Sequence, residues 1–156
     1  MRCGKGKYTY SNGDVYNGDF LDNVKGGIGK IVYADKSEYY GEWRGGKKSG
    51  EGMFVYPNKD IYSGQWAEGR KHGQGTYVFN ATGMKYVGQW TENRFVTGCW
   101  TYPNGSYFEG EFQNNKPKGE GCWVLNNGNK VKGEYQQVIV PVEGNQLETQ
   151  LNWTQA

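Results

Sequence analysis

The sequence predicts an all-β protein: one elongated, single-layer, twisted antiparallel sheet built from tandem hairpins. Two recurring patterns and one compositional feature carry that reading. The first pattern is aromatic-x-Gly-x-aromatic, with central glycines at Gly18, Gly41, Gly64, Gly88, Gly110 and Gly133, in steps of 23, 23, 24, 22 and 23 residues. The second is Gly-x-Gly followed by alternating side chains, at Gly4/Gly6, Gly27/Gly29, Gly50/Gly52, Gly73/Gly75 and Gly119/Gly121. The feature is composition: hydrophobic residues reach 35%, yet aromatics reach 16% and there are 26 glycines. Such a chain is poor in aliphatic core, but too rich in large rings to remain disordered. A repeat of this length points to a stacked array, in which each unit touches its neighbours alone.

Both patterns alternate with period two, so both are strands. Along the first, the two aromatics and the glycine share a face. Along the second, both glycines share a face with two further columns. One column is Tyr8, Ile31, Phe54, Tyr77, Trp100 and Trp123; the other is Tyr10, Tyr33, Tyr56, Phe79, Tyr102 and Leu125. The four bulky columns hold 21 of the chain's 25 aromatics. Between the last two columns, on the opposite face, runs the β-branched series Thr9, Val32, Val55, Val78, Thr101 and Val124. Glycine lets rings from neighbouring strands lie flat across the backbone, and it lets the strand bend. Turn signals such as Ser11-Asn12-Gly13-Asp14 and Pro103-Asn104-Gly105-Ser106 join the strands. The fourth full repeat departs from the rule: Val96 stands at the first glycine's place, and the unit is one residue short.

Twelve strands at about 4.8 Å give a sheet roughly 55 Å long. Residues 1–135 form this sheet of about six hairpins, the first one incomplete, and residues 136–156 form a capping tail. Within the tail, Val138–Val142 suits an edge strand. Asn145–Trp153 suits a short helix, with Leu147 and Leu151 on one face.

The stretch Trp66-Ala67-Glu68-Gly69-Arg70-Lys71-His72-Gly73-Gln74-Gly75-Thr76-Tyr77 closely resembles the MORN (membrane occupation and recognition nexus) repeat, and the resemblance extends over residues 1 to about 135. Among MORN proteins the chain is most similar to the radial spoke head 1 homologues of ciliary and flagellar axonemes. Three features carry this: the one-residue-longer linker Asn80-Ala81-Thr82-Gly83-Met84-Lys85-Tyr86-Val87-Gly88, the worn last repeat ending in Gly133-Glu134-Tyr135, and a tail with Val140-Pro141, Gln146-Leu147, Leu151 and Trp153. The acidic tail of longer members is absent. The resemblance implies a structural subunit of the spoke head, packed against other spoke-head proteins in the axoneme.

Signals for chemistry are weak. No Gly-x-Gly-x-x-Gly opens a helix and no Gly-Lys-Ser/Thr follows, so the glycine pairs are sheet glycines and not a nucleotide loop. His72 is the single histidine, without a partner for metal or triad. Asp19, Glu42, Glu111 and Glu134, with Gln65 and Gln89, line one column on the face opposite the aromatics, where they solvate it. No catalytic residue, cofactor site or metal site is expected. The three cysteines, an odd number, and the absence of a leader-like apolar start suit reduced thiols in the cytoplasm. Cys99 and Cys122 stand one repeat apart, too far to bridge.

The expected function is protein binding. Tyr39, Trp43, Tyr62, Trp66, Tyr86 and Trp90 are expected to line a partly open aromatic groove. Lys47, Lys48, Arg70, Lys71, Arg94 and Lys116, with Lys25 and Lys118, recur at one turn and are expected to form a basic rim that steers an acidic partner. The net charge of +2 is too small to argue for nucleic acid. Anionic lipid is a weaker alternative partner for the rim, because no hydrophobic anchor accompanies it. A further alternative is a targeting piece of a larger enzyme. Self-association into a homo-oligomer is compatible with all of these.

Overall fold

The computed structural model describes residues 1–156. Thirteen strands form one open antiparallel sheet in strictly sequential order, β1-β2 through β12-β13. They are β1 (Gly4–Thr9), β2 (Val15–Leu21), β3 (Val24–Val32), β4 (Glu38–Arg44), β5 (Lys47–Val55), β6 (Ile61–Ala67), β7 (Arg70–Val78), β8 (Lys85–Thr91), β9 (Arg94–Thr101), β10 (Tyr107–Gln113), β11 (Lys116–Val124), β12 (Lys130–Val142) and β13 (Gln146–Gln155). Even-numbered strands up to β10 carry the aromatic-x-Gly-x-aromatic pattern, with the worn copy in β12, and odd-numbered strands up to β11 carry the Gly-x-Gly pattern except β9, where Val96 replaces the first glycine. The two patterns meet glycine to glycine: Gly18 opposite Gly29, Gly41 opposite Gly52, Gly64 opposite Gly75 and Gly110 opposite Gly121.

The turns alternate between two kinds. Within each hairpin a two-residue turn has positive φ at both positions: Asp22-Asn23, Gly45-Gly46, Glu68-Gly69, Glu92-Asn93 and Asn114-Asn115. This is the type I′ geometry that matches strand twist. Between hairpins, longer loops close with a positive φ at Gly13, Lys36, Lys59, Gly83, Gly105 and Gly128. An Asx or hydroxyl contact fixes each loop, as where Asn12 Oδ1 accepts from Asp14 N and Asn58 Oδ1 from Asp60 N.

Each pairing within a hairpin is interrupted just beyond the glycines. Gly18 faces Gly29 but Phe20 faces Lys25, so β3 carries two extra residues there. The same offset recurs at Gly64/Trp66 and Gly110/Phe112. Between β8 and β9 the offset is a single residue, from Gln89–Thr97 to Trp90–Phe95. This is where the shorter fourth repeat loses its residue: at the bulge, without shifting the strands around it.

The tail corrects one expectation. Asn145–Trp153 is not a helix. Residues 146–155 form β13, which pairs along ten residues with β12, and β12 runs unbroken from the last repeat into the tail. Leu147 is 73% exposed, so Leu147 and Leu151 do not define a buried helical face. Trp153 instead packs on Tyr135 and Phe108, with ring centroids 4.9 and 5.9 Å away, and so covers the end of the aromatic layer. All three cysteines are free thiols, and Cys99 and Cys122 both lie opposite Glu109, from either side of β10.

Two substitutions test this account in opposite directions. Lys36 and Lys59 hold positive φ where four equivalent loops use glycine, and both side chains are exposed. Lys59→Gly is expected to raise stability by about 0.5–1 kcal/mol in urea denaturation. Gly75→Ala places a Cβ within 2.5 Å of ring carbons of Tyr62 and is expected to cost about 3 kcal/mol.

Candidate functional site

The hairpin interior is built from one contact repeated. The first aromatic of β2, β4, β6 and β10 lies flat across the glycine of the following strand. An added Cβ at Gly29, Gly52 or Gly75 would come within 2.5 Å of the ring of Tyr16, Tyr39 or Tyr62. Each phenol bends back to donate to the carbonyl three residues on: Tyr16 to Asp19, Tyr39 to Glu42 and Tyr62 to Gln65, at 2.8–2.9 Å. The second aromatic stands edge-on to these rings. Its indole N–H donates to the glycine carbonyl of the strand before it: Trp43 to Gly29, Trp66 to Gly52 and Trp90 to Gly75, at 3.0–3.1 Å. Burial raises the tyrosine pKa values, to about 12 for Tyr16 and further for Tyr39 and Tyr62.

This packing corrects the expected groove. Tyr39 and Tyr62 are fully buried, and Trp43, Trp66 and Trp90 are nearly so. They are the core of the sheet, and a partner does not reach them. Tyr86 is the exception. Its ring is half-buried, stacks on Phe95 at 4.8 Å, and its hydroxyl donates to the Asn115 carbonyl instead of closing on its own strand. Phe95 has taken the place above Gly98 that Tyr86 would occupy.

The basic rim divides into two sets. Lys25, Lys48 and Lys71 face Phe20, Trp43 and Trp66 across their hairpins and fold inward over the rings. Lys48 Nζ lies 4.7 Å from the ring centre of Trp66, 4.8 Å from Phe54, 5.7 Å from Tyr39 and 6.0 Å from Tyr33. Lys71 Nζ repeats this with Trp90, Tyr77, Tyr56 and Tyr62 at 5.0–5.6 Å, and it donates to Tyr56 Oη at 3.0 Å. Lys25 has Tyr10, Tyr16 and Trp43; the fourth ring is missing because Ile31 stands in that column. The other set points outward. Lys47 pairs with Glu68 at 2.7 Å and Arg70 with Glu92 at 3.4 Å, each reaching the next hairpin's turn. Arg94 is exposed, and Lys116 donates to the Thr149 carbonyl of the last hairpin at 3.3 Å.

The acidic column also has a structural task. Asp19, Glu42 and Gln65 accept the bulge N–H of Ile28, Glu51 and Gln74 at 2.9–3.0 Å. They fasten the extra residues of each bulge. His72 is exposed near the start of β7.

What remains partly accessible on the aromatic face is the outer column, Tyr10, Tyr33, Tyr56, Phe79 and Tyr102, with Tyr8, Phe54, Tyr77, Trp100 and Trp123 of the column next to it; all are half-buried, and Tyr10, Tyr33 and Tyr56 lie beside the lysines. The periodicity placed these rings on the right face but gave no depth along the strand. The lysine positions were visible as a recurrence, and the aromatic residues fifteen and nine positions before each of Lys25, Lys48 and Lys71 and eighteen or nineteen after it are the signal for a cage.

The model of the MORN repeat family matches residues 1–15, 16–38, 39–61, 62–81, 86–107 and 108–130. The chain belongs to the MORN-repeat family. Five of the six MORN units begin at the first aromatic of an even-numbered strand, and of these Tyr16, Tyr39, Tyr62 and Phe108 lie over a glycine whereas Tyr86 does not. The gap at 82–85 covers the end of the longer loop before β8 and the first residue of that strand, and the worn copy in β12 lies outside the matched units. No curated protein is significantly similar to this MORN protein.

The caged lysines and flat tyrosines set a pH dependence. Burial lowers the Lys48 and Lys71 ammonium groups to about 8, against the attraction of the ring faces for the cation. Between about pH 8 and the unfolded lysine value near 10.4, the unfolded chain holds more protons, so stability rises with pH. Tyr16, Tyr33, Tyr56 and Tyr86 sit at about 12. Above about pH 10 the unfolded tyrosines ionise first, and stability falls. Urea midpoints measured from pH 7 to 11 are therefore expected to peak near pH 10, and Lys48→Met with Lys71→Met to flatten the rising limb.

Proposed function

We propose that this MORN protein is a non-catalytic scaffold, without a cofactor, that holds an extended or helical segment of another protein across its aromatic face, and that it serves as a subunit of the radial spoke head in the cilium or flagellum. The observation that carries the binding reading is the half-buried ring row Tyr10, Tyr33, Tyr56, Phe79 and Tyr102, whose first three members adjoin the caged ammonium groups of Lys25, Lys48 and Lys71. Rings of this kind bury much area at small rotamer cost. The ammonium groups are charged at pH 7 and partly stripped of water, so a carboxylate brought to them meets a weakly screened cation. The surface suits a partner that alternates apolar and acidic side chains.

The spoke-head assignment is supported by the resemblance in the Asn80–Gly88 linker and in the tail segments around Val140-Pro141 and Trp153. A lipid surface is the weaker reading. Lys47 and Arg70 already reach Glu68 and Glu92, and Lys48 and Lys71 are turned inward, so the turns present less free positive charge than the sequence count implies.

Three measurements separate these readings. A tagged chain expressed in ciliated cells is expected in the axoneme and to co-purify with spoke-head proteins; a diffuse or membrane distribution would sink the spoke assignment. With a purified spoke-head partner, Tyr33→Ser and Tyr56→Ser together are expected to weaken binding at least about tenfold, mainly through faster dissociation. Unchanged affinity in the folded variant would remove the aromatic face as the site. Binding to phosphatidylserine vesicles is expected to be weak and abolished by salt.

A further inference from the structure

β1 is a complete Gly-x-Gly strand that pairs on one side alone, with β2. Its equivalents β3, β5, β7, β9 and β11 pair on both sides. Its features match theirs residue by residue. Arg2 stands where Lys25 and Lys48 stand: its carbonyl accepts from Asn23 N at 3.1 Å, as those of Lys25 and Lys48 accept from Gly46 N and Gly69 N at 2.9 Å. Its guanidinium lies 4.2 Å from the ring centre of Tyr8, as Lys48 Nζ lies 4.8 Å from Phe54.

The difference is at the glycines. Gly29, Gly52 and Gly75 each lie under a tyrosine of the preceding strand. At Gly6 an added Cβ would meet nothing closer than Phe20, at 3.5 Å. Gly27, Gly50 and Gly73 face the Asp19, Glu42 and Gln65 side chains, whereas Gly4 has nothing within 4 Å. An open cavity of about 290 Å³ lies here, lined by Arg2, Gly4, Lys5, Gly6, Tyr8 and Phe20. Gly4 has a φ of +86°, which glycine alone adopts easily, but Gly6 stands where neither its backbone nor a contact inside this chain requires glycine.

We propose that the free edge of β1 docks an extended strand of another polypeptide with the pattern aromatic-x-Gly-acid-aromatic, bound antiparallel in the register by which β2 pairs with β3. In that register the strand's first ring lies over Gly6 and its glycine faces Gly6. Its carboxylate accepts the N–H of Lys5, as Asp19 accepts that of Ile28, and its second aromatic faces Arg2. Lys5 and Lys7 on this edge strand repel a basic edge and favour an acidic one. A second copy of this chain does not supply the strand: β2, β4, β6, β8, β10 and β12 are each paired on both sides, and the free strand β13 lacks the pattern. The inference concerns the sheet edge and stands apart from partner binding on the aromatic face.

The probe is a synthetic peptide copying residues Ser37–Arg44 (Ser-Glu-Tyr-Tyr-Gly-Glu-Trp-Arg), titrated into the full isotope-labelled chain and followed by amide NMR. Saturable shifts confined to Cys3–Thr9 and their β2 neighbours are expected. Gly6→Ala fits the isolated chain, because its nearest contact is ordinary, yet it obstructs the docked ring. It is expected to leave the thermal midpoint unchanged and weaken the peptide roughly tenfold or more. A peptide with valine at its glycine is expected to lose affinity similarly, since a Cβ at the equivalent Gly18 would lie 2.7 Å from the Ile28 carbonyl oxygen; this arm decides the matter if Gly6→Ala disturbs β1. No saturable binding at millimolar peptide, shifts centred on β13, or equal binding of the valine peptide would each overturn the proposal.

Discussion

The structure depends on one contact: a tyrosine or phenylalanine ring laid flat over a glycine on the neighbouring strand. A single-layer sheet has no second layer to bury its apolar face, so the face must cover itself. Flat rings do this, but they need backbone within van der Waals reach, and the glycines at 29, 52, 75 and 121 provide it. Once Tyr16, Tyr39 and Tyr62 lie flat, the tryptophans have one remaining arrangement. They stand edge-on at centroid distances of 5.1–5.5 Å and cap the glycine carbonyls. T-shaped geometry suits the ring quadrupoles, and the indole N–H finds its acceptor, so no buried polar side-chain atom is left without a partner.

Coupling along the sheet follows from the same arrangement. The cage of Lys48 draws Tyr33, Tyr39 and Phe54, and Trp66, from three successive repeats. The turns reinforce it, since Gly69 N donates to the Lys48 carbonyl and Asn93 N to that of Lys71. Asn93 and Asn115 add a side-chain bond to the N–H of Lys71 and Phe95, which Gly46 and Gly69 lack the atoms to make. On the opposite edge, Asp14 and Asp60 accept from Ala34 N and Asn80 N, one hairpin further on. In a quasi-one-dimensional array such interface contacts set cooperativity, because no other contacts link distant repeats.

The fold was legible because period-two alternation and near-constant glycine spacing state a sheet directly, and the shorter fourth repeat even showed where a residue was missing. The tail was less legible. Leu147 and Leu151 fit a helical spacing, while Thr149, Trp153 and Thr154 favour a strand, and pairing with the overhanging end of β12 decided it. The site was legible in residue identity and not in depth. Composition marks an aromatic face, but which ring lies under which depends on the bulge beside the glycines. The lysines misled for a related reason. In a turn-like sequence lysine reads as solvated, but at Lys48 and Lys71 the strand register puts it on the aromatic face, where its methylenes cover ring edges and its ammonium finds ring centres.

The fourth repeat shows what this register controls. The column Lys25, Lys48, Lys71 continues as Phe95 and Pro117. At Phe95 the cation is replaced by a ring that is 1% exposed, the bulge shortens by one residue, and Tyr86 tilts out to stack on it. The lysine cages thus end where the neutral packing of Phe95, Phe112, Trp100 and Trp123 begins. The aromatic face is polar along its length: caged cations lie among the rings from Tyr10 to Tyr77, and Phe95 and Pro117 take their place among those from Phe79 to Trp123. A segment lying along it gains electrostatic attraction in one half and dispersion and apolar burial in the other. Reversing that segment would set its acidic residues on the uncharged half and leave the ammonium groups desolvated without a counter-charge. The replacement of lysine in this column by Phe95 and then by Pro117 therefore gives a repetitive surface a direction, which identical repeats do not specify.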